Sequence, residues 1–226
     1  MPARLDVLLV FVGPDGRGGN SLGVFLDPAE LGGADPQRIA ADLGFSETVF
    51  VDDRPTARLR IFTPSVELPL AGHPLVGTSW LMHRDGPAPA VLRPPAGEVP
   101  TWQDGDLTWI QGRPADAPDF DLAQLESPEA IDVLDSSPDG GGKKVAWDCI
   151  DEAAGAMRVR AFLPDLGVPE DEATGSAALL LCAGAGRPVE IHQGSASVIY
   201  ARPADDGTVA VGGRVAAVEQ RPYDAG

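Results

Sequence analysis

The sequence predicts an α+β fold of two pseudo-symmetric halves, each a mostly antiparallel sheet wrapped around a central helix. Three observations predict it. A stretch is written twice: Arg58-Leu59-Arg60-Ile61-Phe62-Thr63-Pro64 returns one hundred residues later as Arg158-Val159-Arg160-Ala161-Phe162-Leu163-Pro164. Each copy is followed by a glycine that opens an apolar, helix-like run, Gly72 to Met82 and then Gly175 to Cys182. A helix apolar on nearly every side has to be buried all round, and a surrounding sheet provides that. Finally, 22 Pro and 27 Gly among 226 residues cut the chain into short strands and turns. A single long-period echo is not a solenoid, which needs several stacked units, and it fits two related halves facing each other. The expected division is 1–112, with a central helix over 72–83, and 113–226, a linker and second half with a central helix over 175–184.

The elements follow in order. Residues 4–12 read as a buried strand, apolar and β-branched. The glycine-rich loop 13–19 then leads to a strand over 22–26. It lacks a Gly-Lys-Ser/Thr ending and opens no helix, so it is a hairpin loop rather than a phosphate loop, with Asn20 facing a pocket. Asp35 and Pro36 supply an N-cap and a first helical residue for a helix over 37–43, which Gly44 ends. A strand over 45–51 carries Glu47 at its mouth. The plainer reading has Glu47 facing solvent while Phe45 and Val49 face in.

A strand over 57–63 precedes the first central helix, and strands near 90–93, 98–102 and 107–111 close the first half. Residues 113–142, rich in Asp, Ser, Pro and Gly, read as a linker with a short helix near 121–126 and a flexible joint at Gly140-Gly141-Gly142. The second half opens with strands over 143–150 and 156–163. A loop over 165–174 leads into the second helix, which ends at Gly184 or Gly186, and strands near 197–202 and 208–212 finish the chain.

A net charge of −17 repels nucleic acid and anionic membrane surfaces, so neither is an expected partner. No apolar stretch approaches the roughly 20 residues of a membrane span, and the N-terminus has no signal-peptide pattern, so a cytoplasmic location is expected. Cys149 and Cys182 have neither a CxxC nor a Cys/His spacing, so no disulfide scaffold and no metal site is expected.

Chemistry is expected where the helices begin. Helix N-termini offer unsatisfied N–H groups and a partial positive charge that favour a carboxylate or phosphate. His73 lies in the first turn of one helix, Asp171 precedes the other, and Glu47 is the third candidate. Two carboxylates and an imidazole around an anion pocket suit proton transfer at a carbon next to a carboxylate. Taken singly, each has a plainer reading: His73 as a helix cap, Asp171 as a loop acceptor of backbone N–H groups, Glu47 as a surface charge.

Four stretches carry a resemblance: Gly19-Asn20-Ser21-Leu22; Ser46-Glu47-Thr48; Arg60 to Pro64 with Glu67 to Pro74; and Gly167 to Ala177. Together with Val211-Gly212-Gly213, from about residue 5 to 215, they resemble the phenazine-biosynthesis PhzF-like isomerase family. The resemblance implies a fold shared with diaminopimelate epimerase, with the site between two halves. It implies a cofactor-independent isomerase or epimerase that moves a proton on a small carboxylic acid. Glu47 would carry the proton, with His73 and Asp171 assisting. Gly72, Gly175 and Ser176 would hold the substrate, with Asn20 and Thr174 in the same set. A homodimer is the expected assembly.

Related epimerases carry a cysteine at the start of each helix, and here those places hold Ala71 and Thr174, which excludes two-thiol chemistry. Two further departures stand out: Glu172 replaces the usual Pro, and Gly186-Arg187-Pro188 comes before Gln193-Gly194 rather than after it. The rival function is a non-catalytic protein that binds small carboxylates on the same scaffold.

Overall fold

The computed structural model describes residues 2–135, 142–164 and 168–224. The chain forms two compact units and does not divide at one point. The first takes residues 1–10, 20–110 and 214–226, and the second takes 11–19 and 111–213. The expected break at 112/113 therefore falls close to one crossing, but the nine-residue segment 11–19 and the C-terminal segment each belong to the opposite half from the one expected.

The strands of the first unit are β1 (Ala3–Val12), β2 (Asn20–Phe25), β3 (Glu47–Asp53), β4 (Arg58–Phe62) and β5 (Glu67–Leu68), side by side in the order β5-β4-β3-β2-β1. All adjacent pairs are antiparallel except β2 and β3. A small meander of β6 (Val91–Leu92), β7 (Val99–Asp104) and β8 (Leu107–Gly112) follows. The helices are α1 (Pro36–Leu43) and α2 (Gly72–Asp85).

As its sequence suggests, α1 is capped: the Asp35 carboxylate accepts the Gln37 N–H at 3.0 Å, and Gly44 closes the helix at φ 65°. Side chains alternate along a strand, so each strand can feed two layers. Ala3, Leu5, Val7, Phe25, Phe50 and Phe62 form one core with Leu31, Ile39 and Ala40. Phe25 and Phe50 stack within it, with ring centroids 5.2 Å apart. Leu8, Val10 and Leu22 face α2, whose Gly77 sits so close that a Cβ there would lie 2.7 Å from Val10 Cγ2. The sheet is thus covered on both faces, not merely wrapped around one helix.

The second unit contains β9 (Asp121–Gln124), α3 (Pro128–Asp132), β10 (Lys144–Asp151), β11 (Ala156–Leu163), β12 (Val168–Asp171), α4 (Gly175–Ala185), β13 (Val189–Gln193), β14 (Ser197–Pro203) and the start of β15 (Val209–Tyr223). Its strand order is β14-β13-β11-β10-β9, with β12 also on β11. The β9–β10 and β11–β13 pairs are parallel, the others antiparallel. The α+β class holds, with a more mixed sheet than expected.

Several local expectations are corrected. Residues 121–124 form a strand, not a helix, because they pair in parallel with residues 144–147. The linker's helix is instead α3, capped by Ser127, whose Oγ accepts the Ala130 N–H at 3.2 Å. Residues 168–171 form an edge strand on β11 rather than part of a loop. β13 was not foreseen, and β15 runs on to Tyr223, with residues 214–223 in the first unit. α4 is not buried all round: Ala177, Ala178, Leu181 and Cys182 are buried, while Leu179 and Leu180 are half-buried. Of the predicted Gly140–Gly142 joint, residues 140 and 141 lie outside the described residues, as do 165–167 of the predicted loop. No helix among the described residues is long and apolar enough to cross a membrane.

Candidate active site

The predicted site residues fall into two groups by unit. In the first, β2 and β3 run in parallel with Leu22 opposite Glu47, which places Glu47 at the strand's entry. Next to it, Ser46 Oγ donates to the buried Asn20 Oδ1 at 2.9 Å, fixing both side chains beside the strand mouth. His73 is the second residue of α2, after Gly72, and Ala71 is the N-cap. His73 is therefore not the cap. Its Nε2 lies 2.9 Å from Glu47 Oε2, and the side chains are only 7% and 15% exposed.

That separation is a hydrogen bond's, yet the directions of the two groups do not meet the geometry of an aligned one. Glu47 thus points toward the α2 side of the sheet and not into solvent. Alternation sends it to the face of Val49 and Val51, and that face is covered by a helix. The first turn of α2 holds no acidic residue, so its N–H groups and positive end are not neutralised from within the helix.

In the second unit, Asp171 ends β12 opposite Ala161, and Thr174 is the N-cap of α4. Thr174 does not cap through its hydroxyl. Its Oγ1 donates to Asp171 Oδ2 at 2.7 Å. Gly175 is buried and Ser176 half-buried in the first turn of α4, which also lacks an acidic residue. β12 is held from the other side, where Arg160 grips Glu170 through two bonds at 2.7 and 2.8 Å. That pairing raises the Arg160 pKa above its ordinary value.

Two residues outside the predicted site set organise this corner. Gln193, 1% exposed, accepts the Thr174 N–H at 3.0 Å and donates to Asp171 O and Thr174 Oγ1, each at 2.8 Å. Glu172, the departure noted above, fills the turn after β13. It accepts from Ser195 N–H at 3.0 Å, Ser195 Oγ at 2.9 Å, Ala196 N–H at 3.4 Å and Ser197 Oγ at 2.8 Å. Ser197 Oγ in turn accepts the Gly19 N–H at 2.7 Å, so the glycine-rich loop is anchored on this turn. Gly18, at φ 72°, leaves no room for a side chain against Ala196 and Ser197. The sequence signals for this corner were Glu172 in place of the usual Pro and the Gln193-Gly194 pair.

Neither cysteine takes part. Cys182 is buried in α4 and burial pushes its thiol up to about 11, while Cys149 is half-buried with its thiol raised by burial and then by Asp148 and Glu152. Thiols kept protonated in this way are poor nucleophiles at neutral pH. Among the described residues, no three His, Cys, Asp or Glu side chains converge as a set of metal ligands.

Comparison with known proteins agrees with this architecture. The family model described as phenazine biosynthesis-like protein matches residues 14–140. The trans-2,3-dihydro-3-hydroxyanthranilate isomerase of Pseudomonas aeruginosa is 34% identical, over 71% of this chain and 72% of its own. A phenazine biosynthesis PhzC/PhzF protein of Clostridium difficile superposes with a TM-score of 0.78, covering 98% and 99% of the two chains at 18% identity, and shares the fold. A Pseudomonas aeruginosa structure described as a predicted epimerase does so with a TM-score of 0.69, at 26% identity and the same coverage. The chain therefore belongs to the phenazine biosynthesis-like family, and it is an isomerase.

Proposed function

We propose that this isomerase moves a proton between carbons of a small, unsaturated carboxylic acid, with Glu47 as the carrier. The observation that carries the reading is the 2.9 Å approach of Glu47 Oε2 to His73 Nε2 at the entry of α2. A carboxylate that is mostly buried but still open takes the C–H proton and becomes the neutral acid. The electron pair left behind spreads along the unsaturated chain of the substrate toward its carboxylate. Glu47 then returns a proton at another carbon, so nothing is oxidised and no co-reactant is needed. His73 holds the Glu47 carboxyl in place and exchanges hydrogen bonds with it as its charge changes. The positive end of α2 favours the negative charge that develops nearby. The Asp171–Thr174 corner, taken by itself, is an ordered helix entry of the kind that holds a carboxylate.

The substrate class follows the Pseudomonas aeruginosa relative named above, a trans-2,3-dihydro-3-hydroxyanthranilate isomerase. The test is to incubate the protein with that compound in D₂O and follow deuterium entry and isomer formation by NMR. Glu47→Gln, nearly isosteric but unable to accept the proton, should lower turnover about 10²–10⁴-fold, the usual contribution of a general acid–base. Turnover within a few-fold of the parent would remove Glu47 from the role. Binding without turnover or deuterium entry in the parent would leave the carboxylate-binding reading in its place.

A further inference from the structure

We propose that Gln193 is a positioning residue of this enzyme: its amide decides where the Thr174 hydroxyl proton points, and so fixes Asp171. The inference rests on the proton-transfer reading above. Hydrogen-bond bookkeeping carries it. Thr174 N–H can only donate and Asp171 O can only accept, so their 3.0 and 2.8 Å contacts fix which end of the Gln193 amide is oxygen and which is nitrogen. Nε2, as a donor only, must then give its second proton to Thr174 Oγ1 at 2.8 Å. The Thr174 hydroxyl has one proton to give, and Asp171 Oδ2 at 2.7 Å receives it. No freedom is left in the chain Gln193–Thr174–Asp171.

The side chain doing this is 1% exposed and sits on the last residue of β13, so the sheet itself locates it. From outside, Glu172 ties down the following turn through Ser195, Ala196 and Ser197. An amide placed only to fill space would not need all three of its contacts on the two residues that precede and begin a helix. A buried amide with every group engaged is costly to disturb and holds its partners to one geometry. Displacement of a substrate-facing group by about 1 Å can cost on the order of 10²-fold in rate.

The experiment is a double-mutant cycle of Gln193→Met, which keeps the length and removes all three bonds, with Thr174→Val, which removes the hydroxyl. Turnover is read with trans-2,3-dihydro-3-hydroxyanthranilate, and hydrogen exchange at the Thr174 N–H is read in the same samples. Each single variant should lower kcat about 10²-fold with KM changed much less. The double variant should be no worse than the poorer single one, because both act through one chain of bonds. Gln193→Met should also speed Thr174 N–H exchange.

Thr174→Ser, which keeps the hydroxyl, should restore kcat to within a few-fold of the parent. Multiplying effects in the double variant, or unchanged Thr174 exchange in Gln193→Met, would overturn the inference. Should Gln193→Met not fold, the Thr174→Val and Thr174→Ser pair decides it, since a hydroxyl without a directing role would leave kcat of both near the parent. A parent with no turnover overturns the proton-transfer reading and the kcat half of this inference together. The exchange measurement then decides the clamp alone.

Discussion

The hairpins β3–β4 and β10–β11 carry the repeated sequence and repeat its structure, while the helix entries that follow them do not match each other. Arg60 stands opposite Phe50 and Arg160 opposite Ala146, and each guanidinium lies over the Phe two residues on, at 5.6 and 5.0 Å from the ring centre. Each also grips a carboxylate through two bonds, Asp52 in one case and Glu170 in the other. Downstream the two halves part. One helix entry sets a histidine against a glutamate, and the other ties a threonine to an aspartate through a glutamine. The repeated residues build scaffold, and the proposed chemistry falls on unrepeated ones. In a duplicated fold, function is therefore best sought where the echo stops.

The largest effect that would sharpen this contrast is at the first entry. His73→Gln should lower turnover about 10²-fold or more while leaving thermal stability near that of the parent, as measured by steady-state kinetics beside a melting curve. Equal activity would place the chemistry elsewhere.

Next come the helix interiors. Gly77→Ala forces a methyl into Leu22 and Val10 and should cost about 1–3 kcal/mol in urea unfolding. Gly184→Ala in α4 meets nothing within 4 Å and should be neutral or stabilising by up to about 1 kcal/mol. Similar losses at both positions would mean that α4 is packed as tightly as α2.

The twin arginines should differ as well. Arg160 also donates to the carbonyls of Ile131 and Leu134, at 3.1 and 2.5 Å, and is 13% exposed, whereas Arg60 is 37% exposed and bonds Asp52. Arg160→Met should cost about 2 kcal/mol, because it leaves two carbonyls behind α3 without a donor. Arg60→Met should cost under about 1 kcal/mol, as an exposed ion pair does.

The smallest effect is at the thiols. A disulfide reagent at neutral pH should label Cys149 well before Cys182, which should react only on unfolding. The Cys182 pKa is raised in the folded state, so the stability it contributes is complete below about 9. It is lost as pH rises from there to about 11, and Cys182→Ala should flatten that alkaline decline.

Much of the architecture was legible because the signals were local. Asp35, Pro36 and Gly44 bracket α1 by backbone chemistry alone, and Gly175 and Gly186 bracket α4 in the same way. The misreadings share a different cause. Residues 121–124 have no strand pattern of their own and become a strand only because β10 offers a free edge. Residues 168–171 likewise depend on β11, and the tail of β15 depends on a unit that its own sequence does not specify. The plainer reading of Glu47 assumed that one face of the sheet was wet. Both faces are covered, and alternation places Glu47 on the buried face of Val49, toward His73.

The sequence by itself determined the duplicated strand-and-helix plan, the helix ends and the identity of the reactive candidates. Those rest on backbone preferences and on side-chain types that are local to a few residues. Only the tertiary structure decided that Glu47 and His73 meet, that Glu172 fills the turn after β13, and that Gln193 governs Asp171 and Thr174. Those contacts join residues some twenty or more positions apart in the chain, and their directions are set by which strands lie side by side and which face of each is buried.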